Sequence, residues 1–478
     1  MEMVEGNQTS NKYLILMPEK ASILEIFLIP FTSDIESKEF LDAFEVKEKI
    51  LERKGIIFLS MIVRKFFGIM SDRMLSAGSK IEKWINLLSS DESLAKLIAN
   101  YFRDNLVMPN PESARFTSII GSVDTRVELA NNIKPGDKRY FPALSALASK
   151  LAYENKAFIK ATVQDRWKME FVDLGTDGID FWNEYQQRGS TQGFMLHDKT
   201  MNNNMIIVSF RGTEPFHPDS WSTDFDISFY KFHKGMGYVH SGFMKALGLQ
   251  IGDTWPKIIK EDNNNNNHKL AYYTIRDKLK TIFKTNTRAK FILTGHSLGA
   301  ALAVLFPAVL ALHNEDTLLE RLEAVYTFGQ PRVGNEKFGN FMMEKFRQFD
   351  VKYYRFVYNN DIIPRVPFDN STFMYKHFGT CIYYNSAYEG KIVEEAPEEN
   401  CSLSSLITTR VDGVWELTRS FVLPYTFGED YKESCLLKVL RVTGILVPEF
   451  VNHGTQDYIN ALQLGNDDIF DCVSSSCI

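Results

Sequence analysis

Cysteine is scarce in this chain. The 478 residues hold five, Cys381, Cys401, Cys435, Cys472 and Cys477, an odd number with no zinc-site spacing. Neither a disulfide framework nor a metal knuckle is expected, and reduced cytosolic thiols are the default reading. The first residues, MEMVEGNQTSNKYLIL, lack a basic segment followed by a long apolar one, so no signal peptide is expected. The final SSSCI is not a prenylation box, because Ser475 stands where the cysteine would be. The sequons at Asn7, Asn370 and Asn400 then read as chance matches. Charge of one sign is also missing: 54 basic and 60 acidic side chains give −6, which argues against a nucleic-acid partner.

Apolar residues are plentiful, at 44%, with 36 Phe and 20 Tyr. That supports one large α/β core of roughly 250 residues plus an appended region. Three zones are expected: an amphipathic N-terminal region over 1–110, a catalytic core over 111–390, and a C-terminal extension over 391–478 that completes the core. The extension begins near an acidic loop, residues 394–399, and Asn263–Asn267 reads as an exposed insertion.

In the first zone the uncharged stretch Gly55–Val63 is nine residues, far short of the about 20 that a spanning helix needs. Read as a helix, Ile56, Leu59, Val63, Phe66, Met70, Met74, Ala77, Ile81, Ile85 and Leu88 form one apolar stripe at steps of three and four. Seven Lys/Arg against three Asp/Glu lie between Leu51 and Lys83. Such a helix either lies in a lipid surface or packs on a core.

The middle zone alternates strands with helices. Met205–Phe210, Lys290–Thr294, Ala324–Phe328 and Lys352–Tyr358 read as strands, and Leu298–His313 as an apolar helix bent at Pro307. This alternation predicts a mostly parallel sheet covered on both faces. Between the second strand and that helix stands Gly295-His296-Ser297-Leu298-Gly299. A G-x-S-x-G string in strand-to-helix context is a nucleophile elbow: the glycines permit a tight turn that lifts the serine above the sheet. The helix that follows points its positive end at Ser297. His296 neighbours the nucleophile and reads as packing, not as its base.

A serine nucleophile needs a base, and the base an orienting carboxylate. Asp361 follows a strand at the carboxyl edge of the sheet, where active sites gather. Asp350 and Asp369 fit that edge less well. Of the two histidines downstream, His453 lies in a polar loop, while His377 lies close to the acid's own strand; His453 is the expected base. The oxyanion hole needs two backbone N–H groups, and Leu298 and Thr213 are the candidates. The Thr213 hydroxyl is a candidate for one hydrogen bond more. Glu214–Ser222, with Phe216 and Trp221, sits where a lid would lie, or a static loop.

The strings VSFRGTEPF, VHSGF, LTGHSLGAALA, YTFGQPRVGN and NNDIIPRVP, within 206–367, resemble the class 3 lipases. YLILMPEKASILEIF, WSTDFDIS and HGTQDYINALQLG extend the likeness, and together they resemble plant oil-body triacylglycerol lipases. The resemblance implies an α/β-hydrolase fold, the triad Ser297, Asp361 and His453, and Thr213 with Leu298 as oxyanion donors. It also implies a droplet or membrane surface as partner, with the oil body or the endoplasmic reticulum as the place of work. No cofactor and no metal are expected. The substrate is expected to be triacylglycerol or another acyl lipid. Phospholipase A1 or galactolipase activity is the alternative, since the triad alone does not choose a head group. Oligomeric state stays open.

Overall fold

The computed structural model describes residues 13–44, 53–89, 103, 107–175, 179–183, 186–200, 204–233, 235–248, 269–367, 375–397, 403–466 and 468–470. The three sequon asparagines, Asn263–Asn267, Asp369, Cys401, Cys472, Cys477, Glu398 and Glu399 lie outside these residues.

Buried parallel strands need apolar side chains on both faces, and the sequence supplies such runs. Every residue of MIIVSF is buried. The strands in chain order are β1 (Tyr13–Leu16), β2 (Leu41–Phe44), β3 (Glu170–Val172), β4 (Asp180–Asn183), β5 (Arg188–Asp198) and β6 (Met205–Phe210). Then come β7 (Phe229–His233), β8 (Gly237–His240), β9 (Lys290–His296), β10 (Leu322–Phe328), β11 (Lys352–Tyr358), β12 (Thr380–Tyr384) and β13 (Gly390–Val393). The large sheet runs β13-β12-β11-β10-β9-β6-β5-β3, with β4 also paired to β5. Its centre, from β6 through β9, β10 and β11 to β12, is parallel, and both margins are antiparallel.

Helices cover both faces. On one side lie Ala271–Thr285, the elbow helix Leu298–Leu312 with Pro307 inside it, and Glu336–Gln348. On the other lie Tyr140–Leu151 and Thr455–Leu464. This is the α/β-hydrolase arrangement, and it leaves the ends of β6, β9, β10 and β11 on one edge.

The N-terminal zone is tied to this body by backbone hydrogen bonds. A second sheet has the order β2-β1-β7-β8, with Tyr13 opposite Tyr230. Over it runs a 35-residue helix, Lys54–Leu88. Its core face is Ile57 and Met61, packed among Leu14, Leu16, Ile26 and Phe229. None of the ten stripe residues is buried; Leu59, Phe66, Ala77, Ile81 and Leu88 are exposed and the rest half-buried. Two of the basic residues turn inward, while Arg73 and Lys80 stay exposed. Arg64 donates to Asp226 and to the Leu16 carbonyl, and Lys65 to the carbonyls of Pro18 and Ala21. No described helix is long and apolar enough to cross a membrane. Cys381 and Cys435 are free thiols.

Candidate active site

The elbow is built by exclusion of side chains. Ser297 has φ 57° and ψ −129°, strained for a residue with a Cβ. A Cβ on Gly295 would lie 2.2 Å from the Gly299 carbonyl carbon, and one on Gly299 would lie 2.1 Å from the Phe210 oxygen. No real side chain tolerates either, so β9, the elbow helix and the end of β6 close to backbone contact. The Ser297 N–H donates to the Phe328 carbonyl at 2.9 Å, which fixes the turn to β10.

Three side chains meet at this edge. Ser297 Oγ lies 2.7 Å from His453 Nε2. His453 Nδ1 lies 2.8 Å and 3.0 Å from the two oxygens of Asp361. An ionised carboxylate only accepts, so the proton sits on Nδ1 and Nε2 is free to take the serine proton. Asp361 is fully buried. It also accepts from the Ile363 N–H at 2.9 Å and from the Tyr458 hydroxyl at 2.5 Å. Gly329, with φ +58°, sits against the pair: a Cβ there would be 2.9 Å from His453 Cε1 and 3.0 Å from Asp361 Oδ2.

His296 does more than fill space. Its Nε2–H donates to the His453 carbonyl at 2.8 Å, and its Nδ1 accepts from the Tyr153 hydroxyl at 2.9 Å. Burial, with the nearby His453, holds its pKa well below the usual histidine value, so it stays neutral. It therefore anchors the backbone of the candidate base. His377 is elsewhere, with Nε2 2.6 Å from the Pro364 carbonyl.

Leu298 is the first residue of the elbow helix, where the backbone N–H has no intrahelical acceptor. The loop after β6 presses against it. A Cβ on Gly212 would lie 2.5 Å from the His296 oxygen and 3.0 Å from Ser297 Cβ, which brings Thr213 to the same mouth. Among the described residues no group of three or more His, Cys, Asp or Glu is arranged for a metal ion. The hydrogen-bonded line of hydroxyl, imidazole and carboxylate at one edge of the sheet is an arrangement that suits acyl transfer.

A family model described as Lipase (class 3) matches residues 207–371. The triacylglycerol lipase OBL1 of Arabidopsis thaliana is 36% identical, over 96% of this chain and 96% of its own length. The triacylglycerol lipase OBL1 of Ricinus communis is 32% identical, over 97% of this chain and 96% of its own. The chain belongs to the class 3 lipases. Among solved structures, the Rhizomucor miehei triacylglyceride lipase is 19% identical, with a TM-score of 0.39, covering 64% of this chain and 95% of that one.

In this class 3 lipase the segment after Thr213 is a turn and a short helix, Pro218–Asp224. The long N-terminal helix lies directly on it. A Cβ on Gly78 would be 2.5 Å from Phe216 Cβ, Ser60 donates to the Phe225 carbonyl at 2.8 Å, and Phe67 meets Phe225. The Thr213 hydroxyl donates to Asp224 Oδ2 at 2.8 Å, so its proton is committed there and not to an oxyanion. Burial pushes the Asp224 carboxyl up to about 7, opposed by the Thr213 hydrogen bond and His453.

Sequence reasoning missed Tyr458, Asp224 and Tyr153 as parts of the site. Tyr458 and Asp224 stand inside strings that were read only for resemblance, HGTQDYIN and WSTDFDIS. The available signal was their nearness in sequence to His453 and Thr213.

Proposed function

We propose that this chain is a serine-dependent triacylglycerol lipase working at the surface of stored-oil droplets. The hydrogen-bonded line from Ser297 through His453 to Asp361 carries this reading. His453 takes the Ser297 proton as Oγ attacks the ester carbonyl. The N–H groups of Leu298 and Thr213 hold the oxyanion in a water-poor site. His453 then protonates the leaving alcohol, and water attacks the acyl-serine by the same route to release the fatty acid. Residues 111–390 supply the nucleophile and acid, and 391–478 the base.

Triacylglycerol as substrate is supported by the relatives matched along nearly the whole chain, which carry that name. A lipid surface is supported by large apolar side chains left in solvent. Leu24, Phe27, Phe31, Leu59 and Phe66 are exposed in the 1–110 zone, and Leu446 and Phe450 just before His453. Apolar patches of this kind mark interaction sites.

The test is fatty-acid release from emulsified triacylglycerol, set against phospholipid and galactolipid, by the native chain and by Ser297→Ala. The native chain should favour triacylglycerol. The variant should lose about 10⁶ in turnover with its circular dichroism unchanged. A preference for either polar lipid would reassign the substrate, and an active variant would remove the mechanism.

A further inference from the structure

The helix Leu403–Phe427 turns a polar face inward. Thr409, Glu416, Arg419 and Ser420 are buried, while Val411, Val414, Trp415, Phe421 and Val422 are exposed. A helix that only covered a core would do the reverse. Burying a charge costs free energy unless it is paired and hydrogen-bonded, so this inner face is fitted to specific partners.

The partners of Glu416 come from two loops. On one side the Tyr358 hydroxyl donates to Glu416 Oε1 at 2.8 Å, and the Asn359 amide to the same oxygen at 3.2 Å. Tyr358 ends β11 and leads through Asn359 and Asn360 into Asp361. On the other side the fully buried Asn452 amide donates to Oε2 at 2.7 Å and to Oε1 at 3.1 Å, while its oxygen accepts from Asn359 at 3.2 Å. Asn452 immediately precedes His453. Arg441 supplies the opposite charge, with Nη1 3.7 Å from Oε2. Burial, with Asp457 nearby, pushes the Glu416 carboxyl up to about 7, and Arg441, Arg419 and the Tyr358 hydroxyl oppose this. The hydroxyl, the two amides and the guanidinium that meet it all donate, which favours the carboxylate.

Asp361 and His453 are 92 residues apart, and their hydrogen bond requires two loops to keep one spacing. A displacement of about 1 Å in a site of this kind can cost on the order of 10²-fold in rate. A carboxylate that accepts from the feet of both loops fixes that spacing.

We propose that Glu416 is a positioning residue for the hydrolysis: it ties the end of β11, which leads into Asp361, to Asn452, which leads into His453, and so holds acid and base at bonding distance. The inference rests on the triad of the reading above. Glu416 acts through these two loops and not on the substrate. The helix Leu403–Phe427 thereby takes part in the chemistry from behind the site.

The test exchanges the two partners. Glu416→Gln leaves an NH₂ group facing the Asn452 amide, donor against donor. Asn452→Asp alone sets two carboxylates face to face. The two changes together restore a donor opposite an acceptor and keep the buried negative charge. The full chain is assayed on p-nitrophenyl butyrate, dissolved as monomer, at a pH above the Glu416 ionisation. Rates are divided by the number of sites that a reactive phosphonate ester caps at Ser297, so misfolded protein is not counted. Glu416→Gln should lower kcat per site by about 10–100-fold with KM nearly unchanged. The double variant should recover about tenfold of that loss. A kcat per site within about twofold of native in Glu416→Gln overturns the proposal, as does a double variant no faster than Glu416→Gln alone. If Glu416→Gln yields no folded protein, Tyr358→Phe and Asn452→Ala each cut one end of the tie. A loss of kcat per site in both supports the proposal, and native kcat in either overturns it. Ser297→Ala, run alongside, separates this from the reading beneath it: if that variant keeps native turnover, the triad falls and the tie with it.

Discussion

The hydroxyl of Tyr458 donates to Oδ2 of Asp361 at 2.5 Å, and the same oxygen accepts from His453 Nδ1 at 2.8 Å. Burial, with the adjacent Asp361, keeps the Tyr458 phenol well above its ordinary pKa, so it remains a donor. Tyr458 thereby fixes the carboxylate that orients the base. A hydrogen bond to a charged group is worth roughly 1.5–3 kcal/mol. Asp361 keeps its Ile363 N–H in the variant. Tyr458→Phe should therefore lower kcat on a short soluble ester by about tenfold with KM nearly unchanged. An unchanged kcat would show that Ile363 and His453 hold Asp361 without help.

The two histidines should separate cleanly. His453→Ala should approach the loss of about 10⁶ expected for a missing triad base. His377→Gln removes a contact to the Pro364 carbonyl and touches none of the three reacting side chains, so substantial turnover should remain. The opposite ranking in a single-turnover ester assay would move the base role to His377.

Thr213→Val removes the hydroxyl but keeps the backbone N–H. The loss in kcat should be smaller than the about 10²–10³ that follows removal of a whole oxyanion donor. A larger loss would mean that the hydroxyl, through Asp224, holds the loop in its working position.

Asp224 should leave a signature in stability. Its folded pKa is raised from 3.8 to about 7, so the folded state holds a proton that the unfolded chain releases. Between those values its contribution to stability falls as pH rises. Asp224→Asn has no such titration. Urea midpoints measured at both ends of this window should move in favour of the variant, relative to native, as pH increases. Parallel midpoints for the two proteins would mean that Asp224 is ionised throughout.

Replacing the exposed Leu24, Phe27, Phe31 and Phe66 together with Ser should shift the protein from floating droplets to the soluble fraction in a density gradient. Activity on emulsions should fall with it. Burial in lipid is worth about 25 cal/mol per Å² of apolar area, and four large side chains supply much of what a stable attachment needs. A variant that still floats would place the attachment elsewhere, with Leu446 and Phe450 next to be changed.

The elbow and the central strands were legible because their constraints are local. A buried parallel strand reads as an apolar run, and β6 and β11 begin and end where the sequence suggests. Ser297 needs flanking glycines whatever lies further off. The Ser–Asp–His order made His453 readable across 156 residues. The inward face of the long helix was not readable. The stripe counted from Ile56, whereas the buried face is one residue on, at Ile57, Met61 and Arg64. Periodicity treats an arginine as a surface residue, and only the fold supplies the Asp226 that makes its burial tolerable. Tyr458 and Asp224 were hidden for the same reason: each role exists only once distant segments meet.

The pairing of β1 with β7 bears on how the protein is made. Tyr13 leaves the ribosome roughly 200 residues before its partner Tyr230, a delay of about 10–40 s at ordinary synthesis rates. Throughout that interval β1 has only β2 to pair with, and the apolar Ile23–Phe31 segment and the long helix lack the β7–β8 half of their sheet. The nascent chain thus displays these apolar surfaces before it has a catalytic core. The order of translation, and not the finished fold, decides which of its surfaces meet solvent first.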